Sequence, residues 1–274
     1  MKIDAHHHFW RYNATEYAWI NESMAALQRD FLPEHLSAEL KAAGIDAAVS
    51  VQARQSLAET VWLLDLADEH EFIHGVVGWV PLSAPDLELI LDRLASQKKL
   101  KGVRHVLQDE VPAFLSQPSF RNGVAALAPR GLVYDLLICE RHLQAAIELV
   151  DQFPKLTFVL DHIAKPRIQL GFHEPWAGLM KELARRPNVF CKLSGVVTEA
   201  DWNEWTEDSI RPYLDVALEA FGPSRLMFGS DWPVCLLATS YSRWLAVVEG
   251  ATSSLSEGER ERIFGETARE VYSL

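Results

Sequence analysis

Ile3-Asp4-Ala5-His6-His7-His8 opens the chain as a short strand-like run ending in three imidazoles. Side chains of a β-strand alternate between its two faces. On that reading Asp4, His6 and His8 share one face, and Ile3, Ala5 and His7 the other. Two imidazoles two residues apart at a strand's end point into the same space. There they can share a metal ion, a bound water or a substrate oxygen. A purification-tag remnant is disfavoured, because three histidines are too few and Lys-Ile-Asp precedes them like a first strand. Taken alone, the motif reads equally well as a surface histidine run.

Outward from this stretch one pattern repeats, a short β-rich run followed by a longer helical one. The further strand candidates are Ala47–Gln52, Ile73–Val80, Leu100–Leu107, Leu132–Cys139, Thr157–His162, Asn188–Ser194 and Arg225–Ser230, after Lys2–His8. Their starts lie roughly 25 to 45 residues apart, the size of a βα unit. Eight such units predict an α/β fold of the TIM-like (β/α)8 barrel type, one domain over residues 1–274. A doubly wound open sheet is the alternative, weakened because no Gly-x-Gly-x-x-Gly turn follows the first strand. Helical spacing supports the barrel. Pro33 to Ala43 stops at Gly44, and Leu57 to Glu71 places Leu57, Val61, Leu64 and Ala67 on one stripe. Ser256 to Tyr272 begins with a capping-box pattern.

The 274 residues are 49% hydrophobic, enough for a large core. A net charge of -12 argues against nucleic acid and anionic membranes as partners. Cys139, Cys191 and Cys235 are too far apart for a Cys-x-x-Cys site and too few for a disulfide framework. No apolar leader or membrane-length stretch is present, so the expected compartment is the cytoplasm. Oligomeric state stays open, a homo-oligomer included.

Polar residues cluster where the predicted strands end: His6 and His8, Gln52, Arg104 and His105, Asp135, Asp161 and His162, Lys192 and Ser194, then Ser230-Asp231-Trp232. A barrel interior prefers Val, Ile and Leu, so this concentration predicts a pocket at the C-terminal face. Long connections at Phe9–Leu32 (Trp10, Tyr12, Tyr17, Trp19) and 196–208 (Trp202, Trp205) could close over a substrate or merely pin the loops.

Asp-x-His-x-His after strand one, His after strand six and Asp after strand eight resemble the amidohydrolase superfamily. Within it Ile3–Trp10, Lys101–Asp109, Leu160–Pro166 and Phe228–Pro233 look like the sugar-lactonase branch, which acts on L-fucono-, L-rhamnono- and galactonolactone-type substrates. The resemblance implies a hydrolase that opens a small sugar lactone to its aldonic acid. It implies Asp231, His162, His6 and His8 as catalytic residues, with Asp231 handling the proton of the attacking water. Arg104 would contact substrate, and Lys192, Gln52 and Trp232 are expected to join it. Metal-dependent members also use a histidine at the end of strand five, where this chain has none before His142. The carbamylated lysine or glutamate of two-metal members is absent as well, so a two-metal site is not expected. The expectation is that no metal is required; the alternative is one Zn²⁺ on His6, His8 and Asp231. Competing activities are a dicarboxylate-lactone hydrolase, a zinc-dependent decarboxylase and a non-catalytic sugar-acid-binding barrel. No Gly-x-Ser-x-Gly elbow supports a serine esterase.

Overall fold

The β-rich runs form eight strands: β1 (Ile3–His7), β2 (Ala47–Val51), β3 (Ile73–Gly78), β4 (Leu100–His105), β5 (Val133–Leu136), β6 (Phe158–Leu160), β7 (Val189–Leu193) and β8 (Leu226–Phe228). They pair in chain order and in parallel in this computed structural model, which describes residues 1–274. The seam between β8 and β1 closes just beyond the strands. Asp231 N–H donates to His6 O at 2.8 Å and His8 N–H to Trp232 O at 2.7 Å. The result is the (β/α)8 barrel that the spacing predicts. Helices α1 (Pro33–Ala43), α2 (Leu57–Glu69), α3 (Leu87–Leu94), α4 (Pro118–Ala125), α5 (Leu143–Gln152), α6 (Trp176–Leu183), α7 (Glu207–Phe221) and α8 (Tyr241–Ala251) alternate with the strands. No helix is long and apolar enough to cross a membrane.

Two helical expectations need correction. On α2 the buried side includes Leu63, Leu64 and Ala67, while Val61 is 48% exposed, so the stripe is rotated from the one expected. The terminal helix is not uniform. It runs as α9 (Glu257–Glu261), a π-turn over Arg262–Glu266, and α10 (Thr267–Val271). The wider turn buries the adjacent Ile263 and Phe264 together. Downstream, α10 brings Tyr272 beneath the barrel, where its ring packs with Ile3, Val49 and Val133.

A larger correction concerns β1. Ile3 pairs with Ala47 and His7 with Ser50, so one extra residue is accommodated between Asp4 and His7. This bulge resets the alternation. Ile3 and Ala5 lie inside the barrel with Val49 and Val51. His6 and His8 also face inward, where they meet Asp231. Asp4 and His7 face the helical layer. Asp4 accepts from Tyr241 Oη of α8 at 3.1 Å, and His7 Nε2 lies 3.0 Å from Ser50 Oγ. Asp4 therefore does not share a face with the imidazole pair. Its Oδ1 instead accepts from Ser230 N–H at 2.8 Å and His6 N–H at 3.1 Å, tying β1 to the residues before Asp231.

Candidate active site

His6, His8, His162 and Asp231 converge at the C-terminal mouth of the barrel. His6 Nε2 and His8 Nε2 are 3.2 Å apart. Asp231 Oδ1 is 3.3 Å from His8 Nε2, 3.6 Å from His6 Nε2 and 4.0 Å from His162 Nε2. All four residues are buried. Burial holds the His6 ring well below its ordinary pKa and pushes His162 down to about 4, so both are neutral near pH 7. Burial works against the Asp231 carboxylate, but the facing His162 and His8 rings hold it below its ordinary range.

Beneath this group lies a charge network. Lys192 Nζ is 2.5 Å from Asp135 Oδ2, 3.1 Å from Asp161 Oδ1 and 3.2 Å from His6 Nδ1. Tyr272 Oη, from the chain's end, is 2.9 Å from both Asp135 oxygens. Arg104 donates to Asp161 Oδ2 at 3.0 Å, to Gln52 Oε1 at 2.8 Å and to the Gln52 carbonyl. These contacts surround Lys192 and Arg104, two of the expected substrate contacts. Lys192 is fully buried, and protein groups surround its ammonium. The Arg104 guanidinium is occupied in the same way. Both lie under the imidazoles, tied to Asp135, Asp161 and Gln52. Gln52 clamps Arg104, but its Nε2 has no protein partner and remains a free donor. Trp232 is buried, with its ring 5.2 Å from Phe31, and offers no open sugar platform. The loop aromatics mostly pin loops: Trp10 Nε1 donates to Arg29 O at 2.9 Å and Trp205 Nε1 to Ala238 O at 2.8 Å.

Sequence reasoning did not assign Asp135, Asp161, Ser194, Gly195, Glu59 and Tyr272 their roles. Asp161 and Asp135 were legible as charges in barrel strands. Tyr272 carried no signal, because its partner is 137 residues away. Glu59, on the first turn of α2, accepts from Ala53 N–H and Arg54 N–H, both at 3.0 Å, and from Tyr17 Oη at 3.3 Å. It fixes the loop that presents Gln52. After β6 the backbone enters a left-handed turn, with φ of 53° at His162, 46° at Ile163, 60° at Ala164 and 47° at Lys165. Each such non-glycine residue costs about 1–2 kcal/mol, and strain of this kind concentrates at functional sites. Trp176 Nε1 braces the turn by donating to Ile163 O at 2.7 Å. Ser194 Oγ lies 2.9 Å from His162 Nδ1, a hydrogen bond whose direction goes with the tautomer of the ring. With the hydroxyl donating, the ring proton sits on Nε2, the nitrogen facing Asp231. Gly195, at φ 60°, leaves the space these groups need. A Cβ there would meet the His162 ring and come within 2.9 Å of Asp231 Oδ2.

The amidohydrolase family profile matches residues 3–274. The chain belongs to the amidohydrolase family. This amidohydrolase is 44% identical to an L-fucono-1,5-lactonase of Burkholderia multivorans over 288 residues, covering all of this chain and 96% of that protein. It is 38% identical to an L-fucono-1,5-lactonase of Burkholderia ambifaria, again over all of this chain and 96% of the relative. A Burkholderia multivorans amidohydrolase crystallised with bound zinc superposes with a TM-score of 0.94 at 43% identity, over 100% of this chain and 99% of that one.

The donor set of this amidohydrolase fits one metal ion. Tetrahedral zinc with ligands at 2.0–2.1 Å places neighbouring donor atoms about 3.3 Å apart. The three donor–donor distances among His6, His8 and Asp231 are 3.2, 3.3 and 3.6 Å. Metal-bound histidines donate their second N–H to a carbonyl or carboxylate. His8 Nδ1 is 2.8 Å from Val51 O, and His6 Nδ1 is 3.3 Å from Asp161 Oδ1. A proton on His6 Nδ1 would face that carboxylate oxygen and free Nε2 for an ion, whereas Lys192 Nζ, 3.2 Å away, donates to Nδ1 only in the other tautomer. The expectation that no metal is required is not supported: His6, His8 and Asp231 could hold one ion, and a 43% identical relative carries zinc in its crystal. Arg104 Nη1, 3.3 Å from His6 Nε2, opposes a cation there and weakens its hold.

Proposed function

We propose that this amidohydrolase hydrolyses a sugar-derived δ-lactone of the L-fucono-1,5-lactone type to the aldonic acid. The observation that carries the reading is the convergence of Asp231 with His6, His8 and His162 at the barrel mouth. Its full-length similarity to two L-fucono-1,5-lactonases supports the substrate class. Lactone hydrolysis needs a base for the attacking water, a donor for the carbonyl oxygen and an acid for the departing alkoxide.

Asp231 takes a proton from water as the water oxygen bonds to the lactone carbonyl carbon. His162 Nε2–H, oriented by Ser194, donates to the oxyanion. The ring C–O bond then breaks, and Asp231 returns the proton to the leaving ring oxygen. His6, His8 and Asp231 would hold one divalent ion, which when bound supplies Lewis acidity and lowers the pKa of water. A pH-stat assay on a panel of sugar δ- and γ-lactones tests the reading. Acid release from L-fucono-1,5-lactone supports it, and inertness toward the whole panel refutes it.

A further inference from the structure

The proposed reaction accounts for the bottom of the pocket but leaves one cation at its rim unused. Lys165 ends the left-handed turn that begins at His162, closed by Lys165 N–H donating to His162 O at 2.8 Å. Lys165 lies close enough to the site for its charge to act on both His162 and Asp231. Its only ion-pair partner is Glu199 at 3.4 Å, on the connection after β7, and the two side chains are 21% and 25% exposed. Burial opposes its charge, but Glu199 and Asp231 keep the ammonium protonated. The other cations of the site, Arg104 and Lys192, have side chains 4% and 0% exposed and are enclosed by protein partners.

We propose that Lys165 and Glu199 form the hydroxyl-reading pair of this site and select polyhydroxylated over plain lactones. The inference rests on the lactonase reading. The chemistry is that of a vicinal diol. One hydroxyl accepts from the ammonium while its neighbour donates to the carboxylate, and each group keeps free valences toward solvent. With the carbonyl held at His162 and Asp231, the ring hydroxyls lie outward, toward the rim. A partly wet ion pair exchanges one partner for a substrate hydroxyl more readily than a sealed one.

The test compares full-length wild type with Lys165→Met and Glu199→Gln on L-fucono-1,5-lactone and on δ-valerolactone, which lacks hydroxyls. A hydrogen bond to a charged group corresponds to roughly 10–100-fold in affinity. Each variant should lose about that much kcat/KM on the sugar lactone, mainly through KM, and no more than about threefold on δ-valerolactone. Lys165→Arg, which keeps charge and donors, should recover part of the loss and serves if the methionine variant fails to fold. Equal losses on both lactones, losses carried by kcat, or no loss overturn the inference. If wild type is inert on δ-valerolactone, the KM-against-kcat split on the sugar lactone decides. Wild type inert on both lactones sinks the lactonase reading, and this inference with it.

Discussion

Lys192→Met removes the single ammonium that stands between two fully buried carboxylates, Asp135 at 2.5 Å and Asp161 at 3.1 Å. Breaking one buried ion pair costs about 3–5 kcal/mol, because the abandoned charge has neither water nor partner. Asp161 retains Arg104 at 3.0 Å and Asp135 retains Tyr272 at 2.9 Å, so neither is stripped completely. Two carboxylates nevertheless lose a close cation, which places the cost near about 5 kcal/mol. Natural domains have about 5–15 kcal/mol in total. At about 2–4 °C per kcal/mol for a chain of this size, the melting temperature should fall by roughly 10–20 °C. The assay is thermal and urea unfolding at fixed pH, salt and metal content, with Asp135→Asn and the double variant alongside. Removing one of the two charges left behind should make the double variant clearly more stable than the additive sum of the singles. A loss below about 1 kcal/mol, or strict additivity, would refute the argument that this ammonium neutralises the barrel interior.

Three further outcomes follow from the same geometry. Gly195→Ala should lower kcat by about 10² or more while the protein still folds, because the added methyl displaces His162 and Asp231; steady-state kinetics with circular dichroism check this. Burial raises the Glu59 carboxyl from 4.5 to about 7, so its stabilising protonated form is complete below pH 4.5 and is lost as pH rises through 7. Glu59→Gln should flatten the fall in melting temperature over that window, and an unchanged slope would contradict the assignment. Chelated protein should stay folded and rebind about one Zn²⁺ per chain by calorimetry, and His8→Ala should abolish that binding.

All eight strands and their order were legible from periodicity and spacing, because a parallel barrel strand is a short apolar run between longer amphipathic ones. Their C-terminal ends were not. The expected Ile73–Val80 and Leu132–Cys139 stop at Gly78 and Leu136. The residues beyond leave the ladder to line the site or to start connections. The four residues proposed for the reaction, His6, His8, His162 and Asp231, were singled out by the resemblance of their motifs, and the fold brings them together. The orientation of Asp4 was not, since a bulge changes side-chain parity without leaving a mark in composition. Arg104 and Lys192 looked like substrate contacts because sequence shows that a charge sits at a strand end. Whether that charge is already neutralised depends on partners 57 residues away, Asp161 for Arg104 and Asp135 for Lys192.

Asp231→Asn offers the sharpest measurement. The amide keeps the size and the strand-eight position but cannot accept water's proton. A positioned general base contributes about 10²–10⁴ in rate. Turnover of L-fucono-1,5-lactone should fall at least that far in a variant whose melting temperature stays within a few degrees of wild type. Undiminished hydrolysis by that folded variant would mean that the carboxylate facing the imidazoles does not perform the chemistry.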